Sequence, residues 1–138
     1  MNTRALRILR YSFVVLFLWF GVQQLMDPGI WVGFLPTWTG YLPIPGEMLV
    51  QLNGWFEIIA AIALAAGLFT RWIALILGLH LFMIAWEAGG AIGMRDLILG
   101  MIGVTLFFSE PDEWTLDHRD MRTKKHEEPS ENFVSKIA

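Results

Sequence analysis

The 138-residue chain contains no cysteine, and only 17% of its residues are charged. The missing thiols exclude a disulfide, a thiolate nucleophile, a CxxC redox motif and an iron–sulfur cluster held by this chain alone. Soluble domains usually carry about 25% charged residues, so the low charge argues against one. HExxH, P-loop and GxGxxG patterns are also missing, and nothing indicates nucleic-acid binding. We therefore predict no metal site, and any redox chemistry requires a bound cofactor or a partner protein.

Hydrophobic residues make up 55% of the chain and are gathered into four long runs. Each run approaches the roughly 20 residues that a helix needs to cross a bilayer. We predict an all-α integral membrane four-helix bundle, with helices over about 8–26, 48–69, 72–88 and 92–108. The first run follows basic residues as a signal peptide would. It is long for one, however, and no small-residue cleavage site follows it, so it is interpreted as an uncleaved helix.

Two segments differ from the apolar runs. Residues 27–47 contain four prolines and four glycines, which exclude a continuous helix, and several aromatic residues suited to the headgroup level. We expect this loop to lie on the membrane surface, where it can dip inward as a lid. Residues 1–110 then form the transmembrane domain, and residues 111–138 form a polar tail.

The basic residues predict the orientation. Nine of the ten Lys and Arg residues fall on the side of the two termini, and only Arg95 falls on the other. Cytoplasmic segments carry this excess, so both termini are expected in the cytoplasm and the 27–47 loop in the periplasm. We predict a multi-pass protein of the bacterial inner membrane.

Polar side chains inside apolar helices are costly unless they are paired or hydrated, which makes them functional candidates. With the exception of His80, they fall in the periplasmic half, and the cytoplasmic half is predicted to be nearly free of them. The periplasmic set is Gln23, Gln24, Asn53, Glu57, Glu87, Arg95 and Asp96. Arg95 and Asp96 are adjacent and point about 100° apart on a helix. We therefore expect Arg95 to pair with Glu57 or Glu87 rather than with its neighbour.

Two interpretations of this set stay open. Glu57 and Arg95 can form an ion pair that orients the bundle, since buried charge is kept only when it is paired. Alternatively, the set lines a pocket that binds a quinone or another small ligand, or relays protons. The candidate catalytic residues are then Glu57, His80, Arg95 and Asp96, and the candidate ligand-binding residues are Gln24, Asn53, Trp55 and Glu87.

Several aromatic and histidine residues have competing interpretations. Trp55, Phe56 and Trp86 can wall the pocket, or they can face lipid at the membrane interface. Haem within one protomer is disfavoured, because the other two histidines, His118 and His126, lie in the tail.

Short motifs in the membrane region resemble the DoxX family of small membrane proteins. They are NGWFE at 53–57, AAGLFTR at 65–71, GMRDL at 93–97 and the segment 10–21 with its LWFG end. The resemblance covers about residues 5–108. It implies a four-helix membrane fold and a relation to DoxD-like subunits of thiosulfate:quinone oxidoreductase and other membrane oxidoreductase components.

Three functions follow as hypotheses. The first is a component of a quinone-linked membrane oxidoreductase, in which the lipophilic substrate enters the pocket from the bilayer. The second is a non-catalytic membrane subunit or assembly partner of another complex. Under this hypothesis the chain can also form a homo-oligomer. A transporter ranks last, because four short helices leave little room for two access states.

Overall fold

Four long helices dominate the computed structural model, which describes residues 2–127. In chain order the helices are α1 (Thr3–Met26), α2 (Pro28–Trp31), α3 (Gly46–Ala66), α4 (Thr70–Ala88), α5 (Gly90–Phe108) and α6 (Leu116–Glu127). The helices α1, α3, α4 and α5 are each long and apolar enough to cross a membrane. The predicted all-helical bundle with four membrane spans is confirmed. Residues 128–138 of the predicted tail lie outside the described part of the chain.

The four long helices alternate in direction, which gives the bundle two distinct ends. The termini end holds the start of α1, the turn between α3 and α4, and the segment that follows α5. The loop end holds the end of α1, residues 27–45, and the turn between α4 and α5. Short 3₁₀ turns at Val32–Phe34 and Thr37–Tyr41 shape that loop, whose prolines prevent a longer helix.

Small residues join the helices into two closely packed pairs, α1 with α3 and α4 with α5. A side chain at Gly21 would meet the carbonyl oxygen of Gly54 at 2.8 Å, and one at Gly78 would meet that of Gly100 at 2.9 Å. Backbones approach this closely in membranes only where side chains are absent. The two pairs contact each other less extensively, which leaves room between them.

An apolar core fills the space between the pairs toward the termini end. Phe13 and Phe17 meet edge to face with ring centroids 4.9 Å apart, and Leu64 and Leu77 are fully buried against them. On the outer faces the pattern is reversed, and apolar residues such as Ile8 are largely exposed. A helix that is apolar on its exposed face suits lipid rather than water, so these faces contact the bilayer.

The turn between α3 and α4 occupies residues 67–69, so the second predicted helix, 48–69, extends too far at this end. Gly67 ends α3 in the left-handed region with φ of 73°, and Phe69 also has a positive φ of 46°. A side chain at Gly67 would collide with Thr115, so this position needs glycine for both reasons. Thr70 then begins α4.

Beneath this turn, the segment after α5 forms a buried ion pair with α1, which we call the clasp. Arg10 Nε donates to Asp112 Oδ2 at 3.0 Å, and Arg10 Nη1 donates to the carbonyls of Leu64 and Ala65, each at 2.9 Å. Both charged side chains are almost completely buried. The prediction that the half of the bundle near the termini is nearly free of buried polar groups is therefore wrong. Arg10 looked like a flanking surface charge because its partner follows 102 residues later.

The same segment also closes the start of α4. Asp117 accepts hydrogen bonds from the backbone N–H groups of Phe69 (2.9 Å) and Thr70 (2.7 Å), which supplies the N-terminal cap that α4 lacks locally. Thr115 is fully buried beside Gly67. The first residues of the predicted polar tail thus pack against the bundle.

Candidate functional site

Glu57 is the most deeply buried carboxylate of the loop-end half, with 2% exposure, and it lies on the inner face of α3. Its Oε2 accepts from Gln24 Nε2 at 3.0 Å, and its Oε1 accepts from Asn53 Nδ2 at 3.0 Å. The Asn53 amide also donates to Gln24 Oε1 at 2.9 Å. One turn of α3 separates Asn53 from Glu57, so both reach the same point on α1. The three side chains form a closed hydrogen-bonded triangle.

His80 adds a fourth member from the opposite helix pair. Its Nε2 lies 3.1 Å from Glu57 Oε1, so α4 contacts α3 here through a polar pair. Because an ionised carboxylate can only accept, the Nε2 atom carries the hydrogen when Glu57 is charged. No hydrogen-bond partner among the described side chains, those of residues 2–124, reaches the other nitrogen, Nδ1. We call Gln24, Asn53, Glu57 and His80 the polar cluster.

Two aromatic rings hold the imidazole in place. Phe56 meets it edge to face at 5.5 Å between ring centroids, and Phe17 lies at 6.4 Å in a tilted arrangement. His80 is therefore fixed in orientation, with 12% of its side chain exposed. His80 is the one polar group of the apolar helices that is predicted to lie outside the periplasmic half, and the structure places its Nε2 3.1 Å from Glu57 Oε1.

The polar cluster borders a cavity of about 630 Å³ between the two helix pairs. This volume lies within the 300–1,000 Å³ that small-molecule sites usually have. All four long helices and the 27–45 loop contribute to the wall, which is mostly apolar. The remaining charged members of the wall are Glu87, Arg95 and Asp96.

One wall of the cavity is built from aromatic rings in successive contact. Phe20 meets Trp19 at 5.0 Å and Trp31 at 5.5 Å, both edge to face, and Trp31 meets Phe34 at 5.8 Å. The aromatic residues of the loop thus join those of α1 around the cavity. This wall offers flat apolar faces beside the single buried carboxylate of the polar cluster.

Arg95 and Asp96 line the cavity but are bonded to each other. Arg95 Nε donates to Asp96 Oδ1 at 2.8 Å, and Arg95 is half-exposed while Asp96 is buried. The expectation that they cannot pair is therefore wrong, because the long arginine side chain curls back over the 100° between them. Within residues 2–127, Arg95 forms no ion pair with Glu57 or Glu87.

The structure places most of the predicted site residues around one cavity. Seven of the eight line it, and their list is Gln24, Asn53, Glu57, His80, Glu87, Arg95 and Asp96. Trp55 does not line it, since it points outward with 55% exposure. Trp86 is 87% exposed, which fits its interpretation as a residue that faces lipid.

Sequence reasoning missed the aromatic residues that α1 contributes. Phe17 and Phe20 line the cavity beside Gln24. Positions 17, 20 and 24 are spaced by three and four residues, so they share one face of α1. That spacing was a usable signal, because the polar Gln24 marks the face that points inward.

The arrangement can bind a flat, largely apolar molecule and hydrogen-bond its polar atoms. His80 and Gln24 both line the cavity, and neither His80 Nδ1 nor the second amide hydrogen of Gln24 has a hydrogen-bond partner among the side chains of residues 2–124. Among the side chains that the structure describes, residues 2–124, there is no group of three or more histidine or carboxylate side chains that could hold a metal ion.

Four apolar spans and a partly polar internal cavity define a multi-pass membrane protein with a built pocket. The chain belongs to the DoxX family, whose model matches residues 5–90. The match covers most of α1, all of α3 and α4, and seven members of the cavity wall from the loop, but it ends before Arg95 and Asp96. No curated protein and no solved structure matches the chain.

Proposed function

We propose that this protein is the quinone-binding component of a membrane oxidoreductase system. The observation that carries the proposal is the cavity itself, where aromatic and aliphatic walls meet one buried carboxylate–histidine pair. A quinone head is flat and apolar, and it has two carbonyl oxygens that need hydrogen-bond donors. Membership of the DoxX family agrees with a membrane component but does not specify a ligand.

His80 is the residue that would hold a proton at a quinone oxygen. Its Nε2 is engaged by Glu57 at 3.1 Å, and its Nδ1 is left for the ligand. The negative charge of Glu57 would balance a proton gained at Nδ1. Gln24 would donate its second amide hydrogen to the same oxygen, and Arg95 and Asp96 would face the opposite end of the ligand. Electrons would come from a partner protein.

Thermal unfolding in detergent tests the proposal. Short-chain ubiquinone and menaquinone analogues should raise Tm, while a naphthalene derivative of similar size without carbonyl groups should not. In His80→Phe, which keeps a ring between Phe17 and Phe56 but removes both nitrogens, the quinone effect should disappear. Trp55→Ala is the matched control, because Trp55 lies outside the cavity and should leave the effect intact.

The results separate the two leading functions. If no quinone raises the Tm of well-folded protein, quinone binding is wrong and the role of a non-catalytic membrane subunit takes its place. An equal rise for the naphthalene derivative would show that the cavity binds apolar molecules without reading their carbonyl groups.

We further propose that both termini lie in the cytoplasm of a bacterial cell and that the cavity lies in the periplasmic half of the inner membrane. The support is the placement of nine of the ten basic residues at the termini end. Because the chain has no cysteine, single substitutions give clean labelling sites. Thr37→Cys in the loop should react with a membrane-impermeant maleimide added to spheroplasts, and Thr123→Cys in α6 should not. The opposite pattern would reverse the orientation.

A further inference from the structure

A second recess lies at the other end of the molecule, on the outer face of α1. It is an open groove of about 720 Å³, far from the polar cluster. Its lining is Arg4, Arg7, Ile8, Tyr11, Ser12, Val15 and Trp114. Six of these seven residues belong to α1 at intervals of one, three or four positions, so they form one continuous stripe along the helix. Trp114, from the segment after α5, closes one side.

The end of the groove nearest the start of α1 carries positive charge that the protein's own carboxylates neutralise only weakly. Arg7 stacks over Trp114 with its guanidinium carbon 4.6 Å from the ring centroid. Its Nε is buried without a hydrogen-bond partner among the described side chains, those of residues 2–124, and its one carboxylate contact there, to Glu113, is long at 3.9 Å. Arg4 lies one turn away, and within the same residues no acidic side chain is within ion-pair distance of it. Two cations thus face a single, loosely held anion.

The lower part of the groove is apolar and open. Ile8 and Val15 are 67% and 65% exposed, and Tyr11 lies between them with 38% exposure. Since a helix rises about 1.5 Å per residue, Val15 lies roughly 12 Å below Arg7. The stripe therefore begins with two arginines, beside which Trp114 stacks, and continues through Ile8 and Tyr11 to Val15. Cationic groups at one end and apolar groups at the other match one phospholipid, whose phosphate leads through the glycerol backbone to an acyl chain.

We infer that this groove is a binding site for one anionic phospholipid of the adjacent leaflet. The phosphate binds between Arg4 and Arg7 and takes the place of Glu113, whose side chain is 70% exposed and free to turn away. Trp114 and Ile8 flank the glycerol region, and one acyl chain follows Tyr11 and Val15. An anionic lipid is favoured over a zwitterionic one because two arginine charges face the headgroup against one exposed carboxylate, so the site carries a net positive charge.

Native mass spectrometry of the purified full chain tests this site. Protein is released from mixed micelles that contain phosphatidylglycerol or phosphatidylcholine, and the singly lipid-bound fraction is measured. We expect phosphatidylglycerol to be retained preferentially. Arg4→Gln, an exposed change that does not threaten folding, should weaken this retention about fivefold, and Arg4→Gln with Arg7→Gln about thirtyfold. Inorganic phosphate at millimolar concentration should not compete, since it lacks the acyl chain.

Two further variants make the test directional. Glu113→Gln removes the competing carboxylate and should increase phosphatidylglycerol retention. Arg119→Gln removes an exposed charge from α6 outside the groove and should leave retention unchanged. Equal retention of both lipids by the wild type, or an equal loss with Arg119→Gln, would overturn the site in favour of a nonspecific lipid shell. Competition by inorganic phosphate would overturn it in favour of a simple anion site.

Discussion

The two ends of the bundle bury charge in opposite ways. At the termini end, the clasp satisfies Arg10 with a carboxylate and two backbone carbonyls, and the structure encloses it tightly. At the loop end, the polar cluster also surrounds one carboxylate, Glu57, but it borders a cavity of about 630 Å³. There His80 Nδ1 has no hydrogen-bond partner in the part of the chain whose side chains are described. One arrangement is complete by itself, whereas the other has capacity left for a ligand.

This difference separates structural charge from functional charge within a single chain. A buried ion pair is costly to create and costly to break, so a complete one mainly fixes geometry. The clasp does this by tying α1 to the end of α3 and to the segment after α5. A buried carboxylate beside a cavity and an incompletely bonded histidine is instead the pattern expected at a binding site.

The largest expected effect comes from breaking the clasp. Asp112→Asn leaves the guanidinium of Arg10 buried without a counter-charge, and we expect a loss of about 3–5 kcal/mol in unfolding free energy. The measurement is unfolding by SDS titration in mixed micelles. Glu113→Gln is the matched control, since Glu113 is the next residue and is 70% exposed, and it should change the free energy by less than about 0.5 kcal/mol. Equal losses of unfolding free energy in the two variants would show that the clasp does not stabilise the bundle.

The next largest effect should come from the polar cluster. In Glu57→Gln the shape is kept, but one oxygen that accepts from Gln24 becomes an amide that cannot. We expect a loss of about 1.5–3 kcal/mol in the same assay, because hydrogen bonds to a charged acceptor are lost. The loss should be smaller than in Asp112→Asn, because no buried cation is left behind. A larger loss of unfolding free energy in Glu57→Gln than in Asp112→Asn would mean that the polar cluster stabilises the fold more than the clasp does. That result would contradict the assignment of the structural charge to the termini end.

The sequence predicted these two ends unequally, for a physical reason. Membrane helices reveal inward polar residues because every such residue interrupts an apolar run, which is how Glu57, His80 and Gln24 could be found. Arg10 lies where the run begins, next to two other arginines, so its burial left no pattern. Its partner Asp112 lies in a polar segment where a carboxylate is unremarkable. Which charges meet across 102 positions depends on tertiary packing.

Side-chain flexibility accounts for the other wrong pairing. Helical geometry correctly gives the directions of the Arg95 and Asp96 Cα–Cβ bonds, but the arginine side chain is long enough to reach its neighbour. Part of the aromatic wall could have been predicted from the sequence, since Phe17 and Phe20 lie on the same helix face as Gln24. The contact of the loop residue Trp31 with Phe20 could not have been predicted, because no local rule fixes how a proline-rich loop folds back.

A third prediction concerns the close packing of α4 against α5. In Gly103→Ala the added methyl group would collide with the carbonyl oxygen of Ala74 and lie 2.8 Å from the Gly78 Cα atom. Since backbone atoms cannot move aside as a flexible side chain can, we expect a loss of about 1–3 kcal/mol. Gly40→Ala, which meets nothing within 4 Å, is the matched control and should be neutral in SDS titration. A neutral Gly103→Ala would mean that α4 and α5 are less tightly paired than the structure shows.

The smallest effect on stability should come from filling the cavity, and this change addresses the comparison most directly. Ile84 lines the cavity from α4 one turn after His80, and it takes part in neither the clasp nor the hydrogen bonds of Glu57. In Ile84→Trp the larger side chain has empty volume to occupy, so unfolding free energy should change by less than about 1 kcal/mol while any rise in Tm caused by quinone is abolished. Glu57, His80 and Gln24 all remain in this variant, so the loss would come from the missing space alone. If quinone still raised the Tm of this variant, the ligand would bind elsewhere. The cavity at the loop end would then not be the quinone site.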